Sequence, residues 1–239
     1  MYKYIFILFI IIIIFYFFKN HVKIKFKSFF RRGFVPYTGK YGVYCYVGKQ
    51  GSGKTLSLTS YLLDNTGKVP IYANMKSLKG IDYTYIKDFD ELLSLRSKSN
   101  CIIVYDEIFT ALTRSSKIDT DILDFLSQMR KRKIIFLTTA QEWLEIPITL
   151  RRYCRYQIDC KLYNFFFIGI LKKTFRNAEL MRWSNEDNDY IAPIIETVIQ
   201  KCEKRVSDAY DTFEQIGKDA SSSLEEDEKG VEGPLPLIQ

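Results

Sequence analysis

Gly48-Lys49-Gln50-Gly51-Ser52-Gly53-Lys54-Thr55 fills the spacing G-x-x-x-x-G-K-[ST] at every position. Such a loop binds phosphate: its backbone amides form a concave anion nest, Lys54 reaches the β- and γ-phosphates, and the Thr55 hydroxyl ligates Mg²⁺. Glycine is needed where backbone approaches phosphate closely and turns with positive φ. A phosphate loop works with a carboxylate at the end of another strand, and Tyr105-Asp106-Glu107 offers two acids after an apolar run. Asp106 is expected to hold the Mg²⁺ through water. Glu107 is expected to orient and deprotonate an attacking water, which suits hydrolysis of ATP more than transfer to another acceptor. A helix-capping or surface acid is the alternative reading of Glu107. The single histidine, His21, nearly excludes catalysis by an imidazole base. Five scattered cysteines without a C-x-x-C pair give no zinc-ligand spacing. They read as buried or inert thiols in a reducing compartment.

The elements that must position these residues form an α/β pattern. Gly42–Val47 reads as a short buried strand running into the loop, and Leu56 to Leu63 as a helix whose amino terminus points at the nucleotide. Asn100 to Tyr105 is the continuous β-branched run of a strand buried on both faces. Lys68–Asn74 and Lys133–Gln141 read as two further parallel strands. Ligands of open α/β sheets bind beyond the carboxyl ends of the strands, so Gln141 is expected to face the γ-phosphate. Asp119 or Thr120 caps a helix carrying Ile122, Leu123, Leu126 and Met129 on one face. It ends in Arg130-Lys131-Arg132-Lys133, readable as favourable charge at a helix carboxyl terminus, a DNA-facing patch or a subunit contact. After Pro147, Arg151 (or Arg152) sits where it could cross to a neighbouring subunit's nucleotide, a surface arginine or salt bridge being the equal alternative. Tyr156 to Leu171 reads as an edge hairpin turning at Tyr163-Asn164, and Ala192 to Ile216 as helical.

Charge is distributed unevenly. The net charge is +7, yet the first 63 residues carry ten Lys and Arg and no acid. One end therefore meets a negative surface. Tyr4 to Phe18 is a run of 15 residues with nothing polar but tyrosine hydroxyls. Its flanking Lys3 and Lys19, and the absence of a small-x-small cleavage site, point to a retained membrane anchor rather than a signal peptide. Lys19, Lys23, Lys25, Lys27, Arg31 and Arg32 follow the run while only Lys3 precedes it. The positive-inside rule thus leaves the amino terminus outside and the body in the cytoplasm. The alternation Val22 to Lys27 reads as a solvated juxtamembrane strand or a strip on anionic headgroups. The expected organisation is an anchor over 1–19, a basic linker over 20–41, an ATPase core over 42–175, a helical segment over 176–218 and a disordered acidic tail over 219–239. The expected fold class is an α/β P-loop NTPase with a mostly parallel sheet flanked by helices, preceded by one transmembrane helix.

The phosphate loop, a strand ending in Asn74, Tyr105-Asp106-Glu107, a helix ending in Gln128-Met129-Arg130-Lys131, Thr139-Ala140-Gln141 and Ile148-Thr149-Leu150-Arg151 follow one another in an order that resembles the zonula occludens toxin (Zot) family. That family contains the filamentous-phage assembly ATPases and is similar to FtsK–HerA translocases and viral DNA-packaging ATPases. The resemblance covers about residues 42–160, and the run from Arg130 to Arg151 is its specific part. It implies nucleotide roles for Lys54, Thr55, Asp106, Glu107 and Gln141, and a trans-acting role for Arg151. It also implies ATP and Mg²⁺ as cofactors, a homo-oligomeric ring, phage or plasmid DNA as cargo, and phage coat or assembly proteins as partners. One departure is that the apolar segment precedes the ATPase core, whereas phage-assembly members carry it afterwards. The toxin activity in the family's name has no support in these residues. A packaging or conjugative DNA pump shares the same chemistry. A small phosphotransferase is the rival of another class, disfavoured by Glu107 and by the lack of an arginine-rich lid. A GTPase lacks its N-K-x-D motif here. A scaffold with a degenerate site is weakened because Lys54, Thr55, Asp106 and Glu107 are all present.

Overall fold

The computed structural model describes residues 2–19, 22–24, 41–107, 120–144, 146–165 and 168–210. Most of the basic linker, the acidic tail and Asp119 lie outside them. The chain forms α1 (Tyr2–Lys19), β1 (Val22–Ile24), β2 (Gly42–Val47), α2 (Lys54–Asn65), β3 (Ile71–Ala73), β4 (Thr84–Tyr85), α3 (Phe89–Ser94), β5 (Cys101–Tyr105), α4 (Thr120–Ser127), β6 (Ile134–Ala140), α5 (Ile148–Arg151), β7 (Cys154–Phe165), β8 (Ile168–Asn177), β9 (Arg182–Ser184), β10 (Asp189–Ile191), β11 (Ile194–Lys201) and α6 (Lys204–Ser207).

Nine strands make one sheet in the order β1-β11-β8-β7-β2-β6-β5-β3-β4. From β7 to β4 every pairing is parallel. Apolar composition explains which strands are central. All seven residues of β6 are buried, as are the first four of β5, because helices cover both faces. On one face α2 packs Leu58 and Leu62 against Ile102, Ile135, Leu137 and Ile158. On the other, Ile122, Phe125, Leu126 and Met129 pack on Val43, Ile103 and Phe136. The Phe125 and Phe136 rings meet edge to face at 6.0 Å. With both faces apolar, polar chemistry is confined to the strand ends.

Two expectations are corrected. Of the expected helix over Ala192 to Ile216, the described part, to Tyr210, is not one helix: β11 occupies Ile194–Lys201, pairing antiparallel with β8. Ile194, Ile195, Thr197, Val198 and Ile199 are β-branched, a composition that fits a pleated neighbour better than a helix. Among the described residues the only helix there is the four-residue α6. The sheet therefore continues past the expected core boundary at residue 175. The hairpin is also placed differently. Tyr163 and Asn164 pair with Ile170 and Gly169 inside the ladder, whose last pair is Phe165 with Ile168, so Tyr163-Asn164 is not the turn. Nor is β7 an edge, since it lies between β2 and β8. Within the basic linker, Val22–Ile24 forms β1 and pairs parallel with β11.

The apolar amino-terminal run forms a helix. α1 has 18 residues, a rise of about 27 Å against a hydrocarbon core of ~30 Å. Among the described residues, no helix is long and apolar enough to cross a membrane. The described side chains of α1 are nonetheless all exposed, Ile5 at 57% and Phe9 at 59% among them.

The antiparallel extension supports the phosphate loop from behind. Leu171 of β8 is fully buried with Leu56 and Val206, and a Cβ added to Gly53 would lie 2.8 Å from its Cδ1. Leu171→Ala is expected to cost about 2–5 kcal/mol in urea unfolding and to weaken nucleotide binding. Unchanged nucleotide affinity in a folded variant would show that β8 does not brace the loop.

Candidate nucleotide site

The loop is built by the exit of β2 and the entry of α2. Gly48 donates its N–H to the Ala140 carbonyl at 3.2 Å, tying the loop to the end of β6, and Ser52 N–H closes the turn on the Lys49 carbonyl at 3.1 Å. Any side chain at Gly48 would collide, its Cβ lying 2.4 Å from Ser52 Oγ and 2.8 Å from the Cys160 carbonyl. Gly53 takes φ 84° as the amino-terminal cap of α2, and no side chain caps that helix. Its first amides and dipole are thus available to an anion. Lys54 Nζ lies across the loop, donating to the carbonyls of Gly48 at 2.6 Å and Lys49 at 3.2 Å. Thr55 is half-buried on the first turn of the helix, and Lys49, Gln50 and Gly51 are exposed at the loop's crest. Ser52 Oγ is buried without a hydrogen-bond partner, a donor that a phosphate oxygen would satisfy.

Beside the loop stands a buried carboxylate. Asp106, just past β5, is 6% exposed. Its Oδ1 accepts the hydroxyl of Thr139 from β6. Its backbone N–H donates to Asn74 Oδ1 at 2.8 Å, and Asn74 Nδ2 donates to its carbonyl at 3.4 Å. Burial pushes the Asp106 carboxyl above the usual carboxylate range, and the neighbouring Glu107 adds to this. The Thr139 hydroxyl and the Lys54 charge pull it back. An anionic oxygen ligand held at this cost fits a hard cation such as Mg²⁺, with Thr55 as the second protein oxygen. When bound, that ion would neutralise phosphate charge. Glu107 follows at φ 56°, a left-handed conformation that is uncommon for a non-glycine residue and gathers at functional sites. Its N–H donates to Thr139 Oγ1 at 3.2 Å.

Gln141 is exposed at the end of β6, next to the Ala140 carbonyl that holds Gly48. Arg151 is placed otherwise. Its side chain is 5% exposed and forms a two-pronged pair with Asp189 of β10, Nη1 to Oδ1 and Nη2 to Oδ2 both at 3.1 Å. This pair holds the Asp189 carboxyl below its usual range. A guanidinium engaged in that way clamps α5 to the β9–β10 hairpin and is not presented to a neighbour, so the trans-acting role expected of Arg151 is corrected. Arg152 is exposed near the start of β7, at the opposite end of the sheet from its own phosphate loop. Two residues were missed as site residues, Asn74 and Thr139. Their signal was a polar side chain at the carboxyl end of an otherwise apolar strand. Cys45, Cys101, Cys154 and Cys160 are buried, and burial raises Cys101 to about 11.

Residues 44–162 match the family model described as ATPase family associated with various cellular activities (AAA). This part of the chain is a P-loop NTPase of the AAA type. No curated protein matches the sequence. Among solved structures, the chain is similar to the N-terminal domain of zonular occludens toxin from Neisseria meningitidis, at 20% identity and TM-score 0.47, over 72% of this chain and 100% of that one. It is also similar to the genome packaging NTPase B204 from Sulfolobus turreted icosahedral virus 2, at 10% identity and TM-score 0.43, over 66% and 100%. The flagellar accessory protein FlaH from Methanocaldococcus jannaschii follows at 14% identity and TM-score 0.39, over 57% and 77%. At these TM-scores the likenesses bear on no functional conclusion.

The raised Asp106 has a pH signature. Its carboxyl favours the protonated form in the folded state, so its stabilising share is complete below the unfolded value near ~3.9 and is lost as pH rises through the folded value. Asp106→Asn is expected to raise the melting temperature of the nucleotide-free protein at neutral pH. The gain should shrink toward pH 4, and the variant should lose Mg²⁺-dependent nucleotide binding. A variant less stable than wild type at pH 7 would contradict this account.

Proposed function

We propose that this AAA-type P-loop NTPase is a membrane-anchored ATP-hydrolysing motor that drives phage DNA across the membrane during assembly and extrusion. The observation that carries the hydrolytic part is the buried Asp106, held by Thr139 and Asn74 beside the Lys54 loop, with Glu107 immediately after it in a left-handed conformation. Glu107 takes the proton of the attacking water, Lys54 and the loop amides hold the phosphates, and Gln141 lies at the γ-phosphate side. The sequence resemblance over Arg130 to Arg151 supports DNA as cargo and a ring of identical subunits as the working form. A viral packaging or conjugative pump uses the same parts.

The anchoring part rests on α1, whose described apolar side chains are all exposed. Thinning of the bilayer and snorkelling of the flanking lysines close a mismatch of a few ångströms. The excess of basic residues after the helix supports an amino terminus outside and an ATPase on the cytoplasmic side.

Lys54→Ala is expected to abolish nucleotide binding, whereas Glu107→Gln should retain ATP and lose at least ~10²-fold in turnover. Wild-type activity per subunit should rise with protein concentration as rings assemble. Wild-type turnover in Glu107→Gln, or concentration-independent activity from a monomer, would favour the phosphotransferase. Deletion of residues 1–19 should release the chain from membranes at high salt, since screening removes headgroup attraction by the basic strip but not apolar insertion. Salt extraction of the intact chain would show that the helix does not insert.

A further inference from the structure

A second concentration of positive charge lies at the other end of the sheet. A cavity of about 510 Å³ opens at the start of β2, the end of α4 and the junction of α5 with β7, lined by Gly42, Met129, Arg130, Arg152, Tyr153 and Arg155 among others. Six residues of β2 at ~3.3 Å each separate it from the phosphate loop by about 20 Å. The cavity thus has no part in holding the nucleotide of its own chain.

Its arginines are only partly used. Arg130 pairs with Glu179 at 2.8 Å, the one carboxylate lining the cavity. Arg155 donates Nη1 to the Tyr41 carbonyl at 2.7 Å, and its Nε is buried without a partner. The Arg152 side chain is exposed and makes no hydrogen bond or ion pair among the described residues. Next to Arg130, the turn from α4 into β6 adds Lys131 and Lys133, both exposed, and Arg132, whose Nε is held by Gln128 Oε1 at 2.8 Å. Attraction to the carboxyl terminus of α4 explains basic residues on that turn. It does not explain Arg152 and Arg155, which arrive from another part of the chain at the same cavity. The cluster has far more guanidinium and ammonium than the single carboxylate can balance, and it extends beyond what one small anion would fill. Guanidinium forks match phosphate oxygens, and a row of cations matches repeated phosphates.

We propose that this cavity and the Arg130–Lys133 turn bind the phosphodiester backbone of a nucleic-acid strand, at the end of the sheet opposite the nucleotide. The inference rests on the motor reading only in taking that strand to be cargo, since the contacts themselves need no hydrolysis.

The test is fluorescence anisotropy of a labelled 20-nucleotide single-stranded DNA with the full-length chain, without nucleotide, across a salt series. Lys131→Ala with Arg152→Ala should weaken binding on the order of tenfold near 0.1 M salt and reduce the slope of log affinity against log salt by about 1.4. Lys161→Ala with Lys172→Ala removes the same charge from residues that face each other across β7 and β8, and should leave binding unchanged. Lys54→Ala should bind the DNA as wild type does, which separates failure of the motor from failure of this surface. Wild-type affinity and slope in the Lys131/Arg152 variant would overturn the proposal. Equal weakening by the Lys161/Lys172 variant would do so too. So would absence of DNA binding in a chain that binds phosphatidylserine vesicles through Lys131 and Arg152.

Discussion

Asp106 is an ionisable group buried where three parallel strands end, and the site is organised around the cost of keeping it there. Burial opposes its charge. The protein answers with a hydroxyl from β6, an amide side chain that follows β3, and the Lys54 charge from the phosphate loop. Each contact fixes a strand end relative to the others. Because Thr139 also accepts the Glu107 N–H, the same hydroxyl sets the left-handed turn that carries the second acid. A divalent cation beside Asp106 would offset the remaining cost, linking metal, nucleotide and strand register in one network.

The sheet separates two kinds of anion chemistry. β6 is buried along its whole length and β5 along nearly all of it, so neither can present a polar group from its middle. At the carboxyl end of β2, backbone amides and one lysine suit the terminal phosphates of a nucleotide. At its amino end, guanidinium groups from the end of α4 and the start of β7 suit a longer array of phosphates. β2 is hydrogen-bonded along its length to β6 and β7, which makes it a stiff connection between the two ends.

From β7 through β8 to β11 the pairing is antiparallel, and these strands have structural work near the site. Leu171 backs the turn at Gly53, and the Cys160 carbonyl closes the space over Gly48. The Arg151–Asp189 pair fastens the chain that follows Gln141 to the β9–β10 hairpin. A buried guanidinium losing its carboxylate would be left uncompensated, so the pair locks one arrangement of these segments.

Local sequence determined the phosphate loop, the Asp106-Glu107 strand end and the four strands β2, β3, β5 and β6. Each depends on a short pattern: glycines at fixed offsets, or an apolar run closed by polar residues. It also determined the apolar character of α1 and the charge imbalance that follows it. Tertiary structure decided the rest. Ala192 onward has mixed apolar spacing that suits a helix as well as a strand, and the ladder with β8 settles it as β11. Arg151 is chemically able to act on a neighbour's phosphate or to pair at home, and only the fold brings Asp189 to it from 38 residues away. Asn74 and Thr139 became site residues because β3, β5 and β6 lie side by side, an adjacency that no local pattern encodes. Patterns within a strand or turn report local backbone chemistry, while a side chain's role depends on which distant group reaches it.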